Sequence, residues 1–433
     1  MNPSTALLTD HYELTMVQAA LASGHADRRC VFETFARRLP DGRRYGVVAG
    51  TGRILEALRD FRFDEEALSF LEERRVVDGP TLEWLADYRF SGDVWGYAEG
   101  EVYFPGSPVL VVESGFAEGV VLETMVLSVL NHDSAVASAA SRMTASAHGR
   151  PCIEMGSRRT HEQAAVAAAR AAYVAGFAST SNLEAGRRHG VPTAGTAAHS
   201  YTLLHDDERE AFANQLASLG LSTTLLVDTY DVGAAVELAV ELAGPTLGGV
   251  RLDSGDLVSQ AHEVREQLDA LGATGTRIVV TSDLDEYAIA ALQVAPVDAY
   301  GVGTRVVTGS GHPAAGMVYK LVSREGASGR MEGVAKASAD KASVGGRKYA
   351  LRRRGPDGTA QAEIIGIDEQ PGDDGDDRPL LTPLVRTGEV VAPTDAGTAR
   401  AHHETARAEL PQRALRLSHG DPAIPTTYLD DWS

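Results

Sequence analysis

GVRLDSGDLVSQAHEVREQLDALGATGTRIVVTSDLDEYAIAALQVAPVDAYGVGT, residues 249–304, decides the fold. Three short apolar runs, Gly249–Asp253, Arg277–Thr281 and Asp298–Val302, have the length and β-branched content of strands. Leu257–Leu271 and Asp285–Val294 lie between them and repeat apolar residues at helical spacing. Strand, helix, strand at this interval means parallel βα units. The rhythm extends upstream through candidate strands Val191–Thr196 and Thr224–Asp228 and candidate helices Asp207–Leu219 and Ala234–Leu242. After each strand stands a polar or glycine-rich group: His199, Asp228, Asp253 with Asp256, Ser282 with Asp283, and Gly301 with Gly303. In a βα barrel those loops build the active face. A doubly wound sheet gathers its loops in the same way, so periodicity leaves both architectures open.

Outward from this core, residues 116–150 read as helical. Thr160-His161-Glu162-Gln163 fits a capping box opening an alanine-rich helix that ends near Gly176. Leu14–Leu21, Ile54–Leu58 and Glu65–Glu73 read as helices, and residues 91–115 as short strands cut by Gly and Pro. Residues 323–378 are rich in Gly, Lys and Arg, then acidic from Asp373 to Asp377, and read as a loop-rich connector. The tail holds one helical stretch, Ala399–Leu417. The expected division is a smaller α/β domain at 1–115, a barrel at 116–322, and a connector with C-terminal segment at 323–433.

Composition narrows the function. A chain of 433 residues with 43% hydrophobic content builds a packed core and more than one domain. No apolar run reaches the roughly 18–20 residues of a membrane span. Met1 to Asp10 lack a basic region and signal-peptide core, so a cytoplasmic location is expected. Two cysteines, Cys30 and Cys152, support neither a disulfide framework nor a cysteine zinc site. The net charge of −20 disfavours nucleic acid and anionic membrane as partners. A phosphorylated small substrate must then be held by local cations, backbone N–H groups and metal. The four lysines, Lys320, Lys336, Lys341 and Lys348, all fall late in the chain, which weighs against a barrel aldolase using a lysine Schiff base.

Several groups could carry chemistry. Gly301-Val302-Gly303-Thr304 offers close backbone approach and a hydroxyl to a phosphate, with Ser282 and Asp283 on the preceding loop; a plain tight turn has the same composition. In a strand Arg251 and Asp253 share one face. Together they suit a carboxylate and a ribose diol or Mg²⁺-bound phosphate, or else pair with each other. His199 stands just past a strand, where a structural histidine is as reasonable as a functional one. Arg158-Arg159 before a helix start is either an anion site or a solvated pair. Thr9-Asp10-His11-Tyr12-Glu13 reads by itself only as a helix cap.

TDHYELTM (9–16), STSNLEAGRRHGVPTAGTAAHSY (179–201), VDTYD (227–231), RLDSGDL (251–257) and DAYGVGTRVVTG (298–309), in this order and spacing, resemble the nicotinate phosphoribosyltransferase family over nearly the whole chain. The resemblance implies a type II phosphoribosyltransferase fold: an irregular, TIM-like α/β barrel beside a smaller α/β sandwich-like domain. It implies NAD biosynthesis as the setting: nicotinate and phosphoribosyl pyrophosphate joined to give nicotinate mononucleotide and pyrophosphate, with ATP hydrolysis and Mg²⁺. It implies a homodimer with shared sites, in which Tyr12 stacks on the pyridine ring in the neighbouring subunit. By the same resemblance His199 is the phosphorylated histidine. Arg251 lies near the nicotinate carboxylate, Arg158 is a basic residue near substrate, and Thr196 and Ser200 lie in the substrate-binding segment around His199. Asp253 and Asp283 lie near ribose and pyrophosphate, where they could meet a substrate-borne Mg²⁺ with no fixed protein metal site. Gly301, Gly303 and Thr304 form the 5′-phosphate loop, and Ser282 binds substrate from the preceding loop. KASADKASVGGRK (336–348), with Lys336, Ser338, Lys341 and Lys348, resembles a family loop near the nucleotide, although Val344-Gly345-Gly346 stands where a Pro-Gly turn is expected.

Two sister activities and one different class compete. A nicotinamide-using enzyme would favour an acidic acceptor where this chain has Ser181. Met155, likewise, is not the ring-stacking aromatic of nicotinamide-using relatives. A quinolinate-using enzyme needs more cations and no ATP-linked histidine. A non-catalytic phosphate-binding barrel would not require His199, Asp253 and Arg251 together.

Overall fold

The computed structural model describes residues 4–336 and 343–429. It divides into two compact units, one made of Met1–Ser138 with His312–Ser433 and the other of Ala139–Gly311. The expected boundaries at 115/116 and 322/323 are therefore displaced, and 323–433 is not a separate body.

The reason is long-range strand pairing. In the first unit Arg29–Ala36 pairs antiparallel with Met317–Glu325 on one side and with Leu110–Gly115 on the other. The seven-stranded sheet continues through Asp93–Gly96 to Thr382–Arg386 and Glu389–Val390, so both ends of the chain supply one sheet. Lys348–Arg354 and Ala360–Ile367 form the centre of a second, four-stranded sheet in what reads locally as a connector. The expected N-terminal helices appear as His11–Ala22, Thr51–Asp60 and Glu65–Glu73. The tail helix is shorter than expected, Ala396–Ala408, with a separate 3₁₀ turn at Gln412–Leu415. Leu14, Val17, Phe32, Leu55, Val112 and Tyr319 are among the residues of one apolar core. The apolar stretch Phe116–Ser146 is long enough to cross a membrane by length and composition, but 61% of its most apolar window is buried within the fold. It is a core helix here.

In the second unit six strands run parallel: β1 (Cys152–Glu154), β2 (Ser179–Thr180), β3 (Thr224–Leu226), β4 (Gly249–Leu252), β5 (Arg277–Ser282) and β6 (Ala299–Val302). Their order in space is β2, β1, β6, β5, β4, β3. The last strand thus pairs with the first, Tyr300 opposite Cys152. A doubly wound sheet reverses direction at a switch point; here consecutive strands pair except β2 and β3, and the first and last meet, which is barrel order. A single parallel bridge between Thr180 and Thr193 extends the wall. Among the described residues no ladder joins Thr193 to β3, so the barrel is irregular. Val191–Thr196, expected as a strand, contributes only that bridge. Short β1 and β2 carry too little periodicity to be seen in the sequence.

The helices between strands match the rhythm: Glu208–Leu219, Val232–Ala243, Leu257–Ala270 and Glu286–Ala291. Each is opened by an aspartate whose carboxylate accepts a first-turn N–H: Asp207, Asp231, Asp256 and Asp285. The alanine-rich helix is Glu162–Val174; its cap is His161, which accepts from the Gln163 N–H, rather than Thr160. Its alanines from 165 to 172 are buried, so this helix packs closely against its neighbours.

Candidate active site

The ends of β1, β4, β5 and β6 converge on a cavity of about 260 Å³ within the barrel unit. Arg158, Arg251, Asp253, Ser282, Asp283, Gly301, Gly303 and Thr304 line it, with Met155, Arg159 and Thr281. Its lining combines arginines, carboxylates and a glycine-rich backbone loop.

Arg251 and Asp253 lie at the end of β4, as expected, but they do not pair. The Arg251 guanidinium donates to Thr196 Oγ1, while Asp253 Oδ1 accepts from the Thr281 hydroxyl. Burial lowers the Arg251 pKa; Asp253 and Asp228 oppose that shift and Arg158 adds to it. Arg251 Nε is buried without a hydrogen-bond partner. As a cation lining the cavity, Arg251 is suited to an incoming anion.

Arg158 sits in the 3₁₀ turn Ser157–Arg159 after β1. That turn is pinned from below by the buried Glu154, whose carboxylate accepts from the Gly156 N–H and the Thr180 hydroxyl. Burial raises the Glu154 pKa, against these two hydrogen bonds. Gly156 is obligatory: a Cβ there would stand 2.2 Å from Val307 Cγ1 and 2.9 Å from the Gly303 carbonyl. The arginine turn and the Gly301–Thr304 loop are therefore in direct backbone contact.

His199 opens the short helix His199–Leu204. Its Nδ1 is 3.1 Å from Thr229 Oγ1. Its Nε2 faces two carboxylates, Asp228 Oδ1 at 3.8 Å and Asp253 Oδ2 at 3.9 Å. The ring is 39% exposed, whereas the Asp228 side chain is 3% exposed. Asp228 Oδ2 accepts from the Asp253 N–H and the Ser254 hydroxyl, both at 2.9 Å; Oδ1, toward His199, is buried and has no partner. Asp228 is thus a site residue that the sequence marks only as one polar residue after a strand. Thr229 carries no sequence signal beyond the motif VDTYD.

Not every expected residue lines the cavity. Thr196 does not line it but touches Arg251, and Ser200 is exposed on the His199 helix. Tyr12 belongs to the other unit, on helix His11–Ala22, 46% exposed. Burial and the charges of Glu123 and Glu13 push its phenol up to about 12. Ser181 follows β2, exposed, with its N–H on the Glu154 carbonyl. In the segment expected near a nucleotide, Lys348 is buried and ion-paired to Glu33 at 2.9 Å, so it is committed to the fold; Lys336 is exposed. Ser338 and Lys341 lie outside the described residues. Asp253 and Asp283 give two carboxylates at the cavity, which suits a cation that arrives with its own phosphate ligands. Among the described residues the one carboxylate cluster close enough to grip an ion is Asp373, Asp374 and Asp377, in the other unit.

Comparison with known proteins agrees with this architecture. Residues 7–131 match the family described as nicotinate phosphoribosyltransferase (NAPRTase) N-terminal domain. A nicotinate phosphoribosyltransferase of Mycobacterium tuberculosis is 57% identical over 429 residues, covering 97% of this chain and 94% of that protein. One from Bacillus subtilis is 36% identical over 361 residues, covering 81% and 73%. The crystal structure of human nicotinic acid phosphoribosyltransferase superposes with a TM-score of 0.83 at 27% identity, covering 97% of each chain. A Pyrococcus furiosus nicotinate-nucleotide pyrophosphorylase shares the fold, with a TM-score of 0.75 at 24% identity over 94% of this chain and 95% of that one. With a barrel of this order, these loops at its mouth and relatives this similar end to end, the chain belongs to the nicotinate phosphoribosyltransferase family.

Proposed function

We propose that this protein joins nicotinate to phosphoribosyl pyrophosphate, giving nicotinate mononucleotide and pyrophosphate, in the cytoplasm. The observation that carries the reading is the cavity itself. It gathers three arginines, two aspartates and a glycine-rich phosphate loop at the end of a barrel, with His199 beside them.

The pyridine nitrogen attacks with a lone pair that bears no proton, so no strong base is required. Catalysis then rests on alignment and on stabilising positive charge at the ribose and negative charge on the departing pyrophosphate. Gly301, Gly303, Thr304 and Ser282 hold the 5′-phosphate. Arg251 and Arg158 receive the nicotinate carboxylate, and Asp253 and Asp283 bind the ribose diol and the Mg²⁺ carried by the pyrophosphate. Mg²⁺, when bound, neutralises leaving-group charge. ATP phosphorylates His199, and Asp228 and Thr229 orient the imidazole from opposite sides. Tyr12 stacks on the pyridine ring of a second copy in a homodimer.

Pyrophosphate release with phosphoribosyl pyrophosphate and Mg²⁺ tests this directly. Nicotinate should support turnover and outcompete nicotinamide, since Ser181 gives an amide no anionic acceptor. Equal turnover of both bases would overturn the nicotinate assignment, and no turnover with either would overturn the transferase reading. His199→Ala should abolish stimulation by ATP while leaving the ATP-independent rate. Stimulation that survives in this variant removes the phosphohistidine step from the proposal.

A further inference from the structure

Thr281 is 5% exposed, on β5 one residue before Ser282. It stands opposite Gly301 in the parallel ladder. Its two branches do different things. The hydroxyl donates to Asp253 Oδ1. The methyl abuts the backbone of the phosphate loop: a Cβ on Gly301 would lie 2.4 Å from Thr281 Cγ2. Asp253 is held at its other end as well, where Asp228 Oδ2 accepts its N–H at 2.9 Å. With the N–H and Oδ1 both fixed, only Asp253 Oδ2 is left to face His199 Nε2, at 3.9 Å.

We propose that Thr281 is a positioning residue that fixes two parts of the cavity at once. Its hydroxyl sets the rotamer of Asp253, and its methyl sets the seat of the Gly301–Thr304 loop. The spacing between carboxylate and phosphate loop is then a property of one β-branched side chain, which is stiff at χ1. The functional meaning rests on the roles given above to Asp253 and the glycine loop. The hydroxyl also reaches the Leu252 carbonyl at 3.5 Å, the longer and weaker of its two contacts.

Two near-isosteric variants separate the branches. Thr281→Val keeps a methyl against Gly301 and removes the hydroxyl. Thr281→Ser keeps the hydroxyl and removes the methyl. The expected split is a kcat about 10- to 100-fold lower in Thr281→Val, with ribose 5-phosphate affinity within about twofold of wild type. Thr281→Ser should keep kcat within about threefold while ribose 5-phosphate affinity weakens about three- to tenfold. A kcat in Thr281→Val within threefold of wild type, or equal losses of kcat in both variants, would overturn the proposal. If the wild-type protein forms no nicotinate mononucleotide, the catalytic reading fails by itself, and crystal structures of the two variants decide the positioning role. Asp253 Oδ2 turned away from His199 in Thr281→Val but not in Thr281→Ser supports it; an unmoved carboxylate in Thr281→Val overturns it.

Discussion

Asp253→Asn lowers kcat by about a hundred- to thousandfold, with unfolding stability changed by less than about 1 kcal/mol. The asymmetry follows from how Asp253 is held. Its backbone N–H is bound by Asp228 and its Oδ1 by Thr281, and an asparagine keeps a carbonyl oxygen for the Thr281 hydroxyl. What the substitution removes is the charge at Oδ2, the one position left for ribose hydroxyls or a substrate-borne cation. That charge acts on groups whose polarity develops in the transition state, so the loss falls on kcat rather than on binding of the free base. Initial rates at saturating phosphoribosyl pyrophosphate and Mg²⁺, beside a urea unfolding curve, check both halves. A loss in kcat below about tenfold would move the cation and ribose role to Asp283.

Arg352→Ala destabilises the first unit by about 3–5 kcal/mol, although the residue belongs to the unit that does not hold the cavity. Arg352 is fully buried and donates to Glu363 Oε1 at 2.7 Å and to the Val102 carbonyl at 2.8 Å, with Glu101 Oε1 at 3.7 Å. Glu363 and Glu101 are buried as well. Removing the guanidinium strands Glu363 beside Glu101, and two carboxylates cannot both stay ionised there without a shared cation. The remaining cations, Arg378 and His402, reach Glu101 at 2.7 and 2.8 Å but are not paired with Glu363. A shift of the urea midpoint worth less than about 1 kcal/mol would show that water or rearrangement takes over the role of Arg352.

Two groups at this cluster weaken the unit in acid. Burial pushes the neighbouring His403 down to about 4, below its ordinary value of 6.5. The unfolded chain then binds the extra proton first. Stability from the neutral ring is complete above about pH 6.5 and is lost as pH falls toward 4. Burial raises the Glu101 pKa, but His402, Arg352 and Arg378 more than offset that and hold it well below the carboxylate range. Its contribution is likewise present above the ordinary carboxylate pKa and lost as acid approaches the depressed one, so both groups weaken the unit in the same direction.

Much of the cavity was legible in the sequence because its parts are local. Gly301-Val302-Gly303-Thr304, Ser282-Asp283 and Arg251–Asp253 each follow a strand whose apolar pattern announces it, and strand ends in a parallel sheet face one way. His199 was marked by the family motif rather than by a strand, since Val191–Thr196 contributes only a single bridge. Asp228 was not distinguishable from any polar residue after a strand, since its role comes from which oxygen is left unpaired toward His199. The hidden strands β1 and β2 are two or three residues long, too short for any period.

The sequence by itself determined the parallel βα rhythm and the set of groups at the strand ends. Side-chain alternation, helical spacing and turn chemistry are all properties of neighbours along the chain. Only the tertiary structure decided that the last strand returns to the first, so that a barrel forms rather than an open sheet. Only it decided that Arg29–Ala36 pairs with Met317–Glu325, making one unit from both ends of the chain. It also separated Arg251 from Asp253, giving one to Thr196 and the other to Thr281. Pairing between distant segments is settled by hydrogen-bond register and packing across space, and no local pattern encodes which partner a strand edge or a buried charge will meet.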